Sequence, residues 1–68
     1  MARTIRRLRE QAATTQEDLA HEAGITTGTL SKIERADSNP SWTTIERIAC
    51  ALKISLVELA QAVEGDAN

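Results

Sequence analysis

Residues 16–35 read QEDLAHEAGITTGTLSKIER, and the expected fold follows from how this stretch divides. Gln16 to Ala23 carries apolar residues at 19, 20 and 23, and Thr27 to Arg35 resumes with Leu30 and Ile33. Each spacing is that of a helix with one buried face. Gly24 separates them, and glycine takes the positive φ of an abrupt helix stop without steric cost. Two short helices at a tight turn form a helix-turn-helix. Thr15 and Thr26 stand where N-caps belong, and Asp18 completes a capping-box-like pair with Thr15. Ala20 falls where the helices cross, so a larger side chain would push them apart. Ile25 plugs the turn.

Working outward, helix one is expected from about Ala2 or Thr4 to Ala13, with Ile5, Leu8 and Ala12 as its buried stripe. Arg3, Arg6 and Arg7 lie off that stripe, as a solvated basic face or as contacts to phosphate, whereas Arg9 is placed to fold toward the protein. After the polar turn ADSNP at 36–40, Ser41 caps a fourth helix whose inward stripe is Trp42, Ile45, Ile48, Ala49 and Leu52. Trp42, in its first turn, reads as a partly buried lid on the core, with an interface anchor as the alternative. Ser55-Leu-Val-Glu58 is a full capping box opening a fifth helix, with Leu56, Leu59, Ala60 and Val63 facing inward. Val57, Gln61 and Glu64 share its outer ridge, either as a dimer seam or as ordinary surface. The final GDAN is expected to fray, leaving one domain over residues 1–68 with a loose tail from about 65.

Composition agrees with an all-α domain. The chain is 41% apolar with a single aromatic residue, and it has no alternating β-branched runs, so Leu, Ile and Ala must supply the core. One cysteine, Cys50, excludes an internal disulfide or a Cys-rich zinc site; it reads as a small hydrophobe, with a redox sensor as the alternative. His21 has no histidine or cysteine partner and reads as surface. No run approaches the ~20 apolar residues of a membrane span, and no signal-peptide pattern precedes helix one, so a cytoplasmic protein is expected. Glycine-rich phosphate loops, H-E-x-x-H and Ser/His/Asp groupings are missing, which leaves an enzyme, a metal, a cofactor or a small-molecule ligand without support.

The net charge of −2 counts against nucleic acid, but its distribution softens the objection. Residues 1–35 hold six cations and five acids, and residues 36–68 hold two cations and five acids. Once Leu30 and Ile33 are buried, Thr27, Gly28, Ser31 and Lys32 remain on the opposite face of helix three. That face lacks acids, and Gly28 costs ~1 kcal/mol of helix propensity relative to alanine. A glycine there is useful if another surface must come very close; a weak helix start that tolerates glycine is the plainer explanation.

With these elements in place the chain resembles the Xre-type helix-turn-helix family, the five-helix DNA-binding domain of lambdoid phage repressors and Cro, from Ile5 to Val63. The motif comprises Gln16, Leu19-Ala20, Ala23-Gly24-Ile25, Thr26, Leu30, Ile33-Glu34 and Pro40, with Ile48-Ala, Ala51-Leu52 and Ile54-Ser55 downstream. The small size further resembles controller proteins of restriction-modification systems. The resemblance implies a compact lambda-repressor-like fold with helix three as recognition helix. Thr27, Gly28, Ser31 and Lys32 would then read bases, and Thr15, Gln16, Thr26 and Arg35 would lie along the DNA backbone. It also implies a structural ion pair between Arg9 and Glu34. Ala36 departs from the family's usual glycine after the recognition helix, so a left-handed alanine there would carry ~1–2 kcal/mol of strain.

The expected function is therefore sequence-specific binding of double-stranded DNA as a homodimer, regulating transcription. Val57, Gln61 and Glu64 are candidates for the dimer seam. A second reading keeps the fold but docks a protein partner, such as an RNA polymerase subunit or a toxin, through helix four or five. The acidic C-terminal half and Val57 motivate it.

Overall fold

The computed structural model describes residues 1–66. Among them are five helices and no strand: α1 (Ala2–Gln11), α2 (Gln16–Ala23), α3 (Thr27–Glu34), α4 (Trp42–Ala51) and α5 (Leu56–Asp66). The all-helical expectation and the helix-turn-helix at α2 and α3 hold. None of these helices is long and apolar enough to cross a membrane.

Side-chain caps begin four of the helices. Thr15 Oγ1 accepts from Asp18 N, Thr26 Oγ1 from Thr29 N, and Ser41 Oγ from Thr44 N. At α5 the box is reciprocal: Ser55 Oγ accepts from Glu58 N at 3.0 Å while Ser55 N donates to Glu58 Oε1 at 3.2 Å. Each cap satisfies backbone donors that have no partner within the helix.

The helix ends share one geometry. After α1, α2, α3 and α4 the chain closes with paired backbone bonds of the Schellman type, as in Asp37 N to Lys32 O and Ala36 N to Ile33 O. The residue at the turn is left-handed in all four: Ala13 (φ 54°), Gly24 (φ 72°), Ala36 (φ 60°) and Lys53 (φ 63°). Only α2 uses glycine. No heavy atom lies within 4 Å of the Cβ that a side chain at Gly24 would add, so backbone conformation alone calls for glycine there.

Ile5, Leu19, Ala20, Ala23, Leu30, Ile33 and Ile48 form the central cluster, with Ile25, Ala51 and Leu52 packed against it. Ile5, Leu19, Leu30 and Ile48 are completely buried. Truncating one of them to alanine costs ~2–5 kcal/mol. That is a large part of the stability of a domain this small.

Four expectations are corrected. Helix α1 ends at Gln11, and Ala12 is exposed at its C-cap, because the left-handed turn at Ala13 carries the chain away after Leu8. Trp42 is 65% exposed and does not cover the core. It projects from the first turn of α4 beside α5, and the inward stripe of α4 is Ile45, Ile48, Ala49 and Leu52. Ala60 and Cys50 are also exposed, each flanking a stripe whose buried member is its neighbour, Leu59 or Ala49. Finally, α5 does not fray at Gly65. It continues to Asp66, whose carboxylate is anchored on α1. The last two residues of the expected tail lie outside the described residues.

Candidate nucleic-acid interface

Helix α3 is held from its buried side, which decides what its other side presents. Glu34, in its last turn, has a side chain only 2% exposed, and Arg9 from α1 reaches it at 13% exposure. Arg9 Nε donates to Glu34 Oε2 at 2.8 Å and Arg9 Nη2 donates to Oε1 at 3.0 Å. This is the two-pronged geometry that makes arginine–carboxylate pairs directional. Arg9 Nη1 also donates to Thr14 O at 3.0 Å, and Gln16 Nε2 donates to Glu34 Oε1 at 3.1 Å. One guanidinium thus joins the end of α1, the α1–α2 turn and the end of α3, while Gln16 ties in the start of α2. The hydrogen bond to Glu34, opposed in part by desolvation, raises the Arg9 pKa above its ordinary value. Arg9 is charged at every pH at which the protein folds.

On the face of α3 turned away from Leu30 and Ile33, Thr27, Gly28 and Lys32 are exposed and Ser31 is half-buried. Their i, i+3 and i+4 spacings place them together. Among the described residues, Lys32 makes no ion pair. A Cβ built on Gly28 would approach only Thr26 Oγ1, at 4.0 Å, so internal packing does not exclude a side chain there.

The expected backbone-contact residues differ in the donors they have left. Thr15 Oγ1 accepts the cap bond from Asp18 N, leaving its hydroxyl proton free to donate outward. Thr26 Oγ1 accepts from Thr29 N and also donates to Thr29 Oγ1 at 2.8 Å, so its hydroxyl is occupied internally. Gln16 gives one amide hydrogen to Glu34 and keeps the other. Exposed Arg35 leans on Ser31 O at 3.4 Å and pairs with Asp37 at 3.5 Å. The exposed N-termini of α2 and α3 add backbone N–H groups suited to phosphate oxygens.

Val57, Gln61 and Glu64 lie on the exposed ridge of α5, with Val57 65% exposed. Beside the ridge, Trp42 and Ile45 of α4 meet Leu56, Ala60 and Val63 of α5 in a shallow, mainly apolar groove. No group of three or more potential metal ligands occurs among the described residues.

Sequence reasoning missed Thr4 and Asp66. Thr4 is a buried polar residue, 1% exposed, whose Oγ1 donates to Asp66 Oδ2 at 2.7 Å. Arg7 Nε joins the same oxygen at 3.2 Å. Thr4 precedes Leu8 by four residues and so shares its side of α1, which was the available signal.

Two short capped helices joined by the left-handed turn at Gly24, the second fastened to α1 through Glu34, define a helix-turn-helix domain. The chain belongs to the helix-turn-helix family, which it matches over residues 5–59. It is similar to the restriction-modification controller protein C.AhdI from Aeromonas hydrophila, at 33% identity and TM-score 0.83, covering 85% of this chain and 88% of that one. It is also similar to the wild-type restriction-modification controller protein C.Esp1396I, at 27% identity and TM-score 0.91, covering 97% and 85%. The clp gene regulator ClgR from C. glutamicum shares the fold, at 22% identity and TM-score 0.90 over 98% of this chain and 87% of that one. A comparison with curated proteins finds no match.

Proposed function

We propose that this chain is a DNA-binding transcription regulator that works as a homodimer on a roughly palindromic operator, with α3 in the major groove. The observation that carries the reading is the outer face of α3. Thr27, Gly28, Ser31 and Lys32 stand together on a helix whose inner face is clamped by Arg9, Glu34 and Gln16. A helix fits the major groove, lysine donates to guanine O6 and N7, and a threonine methyl packs on a thymine methyl. Thr15, Gln16 and the N-termini of α2 and α3 supply donors to phosphate, and Arg35 adds a charge on the same side. DNA as the target implies a cytoplasmic site of action.

Homodimerisation is the natural complement of so small a face. Two half-sites about one DNA turn apart, ~34 Å, double the informative contacts. The exposed α5 ridge of Val57, Gln61 and Glu64 and the adjoining groove with Trp42 support a seam on this side. Two exposed large apolar residues next to a groove are what a buried interface centre requires. C.AhdI and C.Esp1396I are controller proteins of restriction-modification systems, and a role of that kind fits this chain's size and fold.

The test is selection of binding sites from random DNA followed by Lys32→Ala. Recovery of a two-fold-related sequence is expected, and the variant should relax preference at one position of each half-site. Absence of any preferred sequence, together with a protein partner that co-purifies at low salt, would favour the protein-docking reading. Uniform weakening on all sequences would reassign Lys32 to phosphate.

A further inference from the structure

We propose that Asp37 is a specificity-determining residue: its carboxylate holds Arg35 in the place of a DNA phosphate, which weakens binding to random DNA more than binding to the operator. The inference rests on the DNA-binding reading given above. Arg35 follows Gly28, Ser31 and Lys32 by seven, four and three residues, so it ends the stripe that those residues begin. Lys32 and Arg35 are the two cations of that stripe. Arg35 is turned back on its own chain, with Nε 3.4 Å from Ser31 O and 3.5 Å from Asp37 Oδ2.

Folding does not account for the acid. The end of α3 is closed by backbone bonds, Asp37 N to Lys32 O at 2.9 Å and Ala36 N to Ile33 O at 3.1 Å, with Ala36 left-handed at φ 60°. Neither bond uses the Asp37 side chain. That side chain is 59% exposed, and its partner Arg35 is 62% exposed. An ion pair so open to water adds little to stability, and a carboxylate just past a helix C-terminus is disfavoured by the helix dipole. The turn nevertheless brings this carboxylate back to the last cation of the stripe.

The effect on DNA depends on the kind of complex. Binding without sequence preference comes from phosphate charge, and each phosphate neutralised adds about 0.9 to the slope of log affinity against log salt. Beside Asp37, Arg35 adds no net charge, so the stripe meets random DNA with Lys32 alone. On the operator, contacts at Gly28, Ser31 and Lys32 hold the helix in one register and keep a phosphate beside Arg35. The guanidinium then exchanges a single long contact for two parallel hydrogen bonds to phosphate. Asp37 therefore widens the ratio between operator and random DNA, which is the quantity that matters in a genome.

The experiment measures affinity of the full chain for a selected operator and for random duplex DNA between about 50 and 200 mM salt. Asp37→Asn should bind random DNA about five- to eightfold more tightly per protomer near 0.1 M salt, with a slope steeper by about 0.9 per protomer. Its operator affinity should change by less than about twofold, one phosphate contact being already in use there. Asp37→Glu, whose carboxylate still reaches Arg35, should keep the wild-type ratio. Adding Arg35→Gln to Asp37→Asn should abolish the gain on random DNA. A gain that survives without Arg35 would overturn the proposal, because Asp37 would then act only by repelling phosphate. Unchanged affinity and slope on random DNA in Asp37→Asn would overturn it too, leaving the regulator reading intact. A wild-type protein that prefers no sequence would overturn both.

Discussion

Gly28→Ala separates what α3 needs in order to fold from what it needs in order to bind. In the free protein the added methyl meets nothing closer than Thr26 Oγ1 at 4.0 Å, so there is no steric penalty. Alanine is favoured over glycine in a helix interior by ~0.8–1 kcal/mol, and the position in the first turn extends the range downward, to about 0.5–1 kcal/mol. With an unfolding entropy of roughly 2.1 cal/mol/K per residue, such a gain raises Tm by about 4–7 °C in a domain of 68 residues. On DNA the sign reverses. A methyl inserted between α3 and a base edge separates the surfaces at both half-sites, each worth ~1–3 kcal/mol, so operator affinity should fall at least ~30-fold. Thermal denaturation and fluorescence anisotropy with a labelled operator measure the two effects on one sample. A variant that is more stable and binds as tightly as wild type would refute the assignment of Gly28 to the DNA face. A variant that is less stable would show that glycine serves the helix itself.

Three further outcomes are expected. In a double-mutant cycle, Arg9→Ala and Glu34→Ala should show a coupling of about 1.5–3 kcal/mol, as for hydrogen bonds to a shielded charge; the exposed Arg6–Glu10 pair, with side chains 64% and 60% exposed, should give no more than ~0.5 kcal/mol. Urea denaturation of Ala36→Gly should show a net gain of about 0.5–1 kcal/mol, because relief of ~1–2 kcal/mol of left-handed strain outweighs the entropy glycine adds to the unfolded chain. The Thr4 hydroxyl, assisted by Arg7 and Arg3 and opposed by desolvation, holds the Asp66 pKa below its ordinary value. Its stabilising contribution is therefore full above the unfolded-state value of ~3.9 and is lost as pH falls through the depressed folded value. An NMR titration of the Asp66 carboxyl should show this, and Thr4→Val should move the midpoint upward.

Much of the fold is legible because it is written in periodicity and punctuation. Leu19, Ala20, Ala23, Leu30 and Ile33 recur at helical intervals, Gly24 stops α2, and Thr15, Thr26, Ser41 and Ser55 occupy positions where a side-chain oxygen meets an orphan N–H. Periodicity says nothing, however, about what covers a given turn. Trp42 has the spacing of a core residue, but the first turn of α4 extends past the elements that would bury it, so it stands 65% exposed. Ala12 and Ala60 fail for a related reason: small apolar residues at the edge of a stripe carry too little signal to fix which side of the boundary they occupy. Polar contacts between distant segments are the least legible. Thr4 and Asp66 are 62 residues apart, and nothing local marks either as the other's partner. Gln16 is similar. Its position at the start of α2 suggests a role facing outward, but its amide also reaches inward to Glu34.

The distribution of charge explains why positioning matters so much in this molecule. Of eight cations, Arg6, Arg7, Arg9 and Arg35 face acids of the same chain, at Glu10, Asp66, Glu34 and Asp37. Arg9 and Arg7 are structural fasteners, and Arg35 would have to leave Asp37 to meet a phosphate. Lys32 is the cation that α3 offers outright. A strongly basic domain tolerates imprecise docking, because phosphate attraction is long-ranged and insensitive to orientation. In the proposed complex that term is thin, and the remaining contacts would be hydroxyls, amides and helix N-termini, which act only when distance and angle are right. Rigid support for α3 is the condition under which such contacts discriminate between sequences. In the proposed complex the clamp of Arg9 and Gln16 on Glu34 therefore belongs to binding as much as to folding, even though none of those bonds need touch a base.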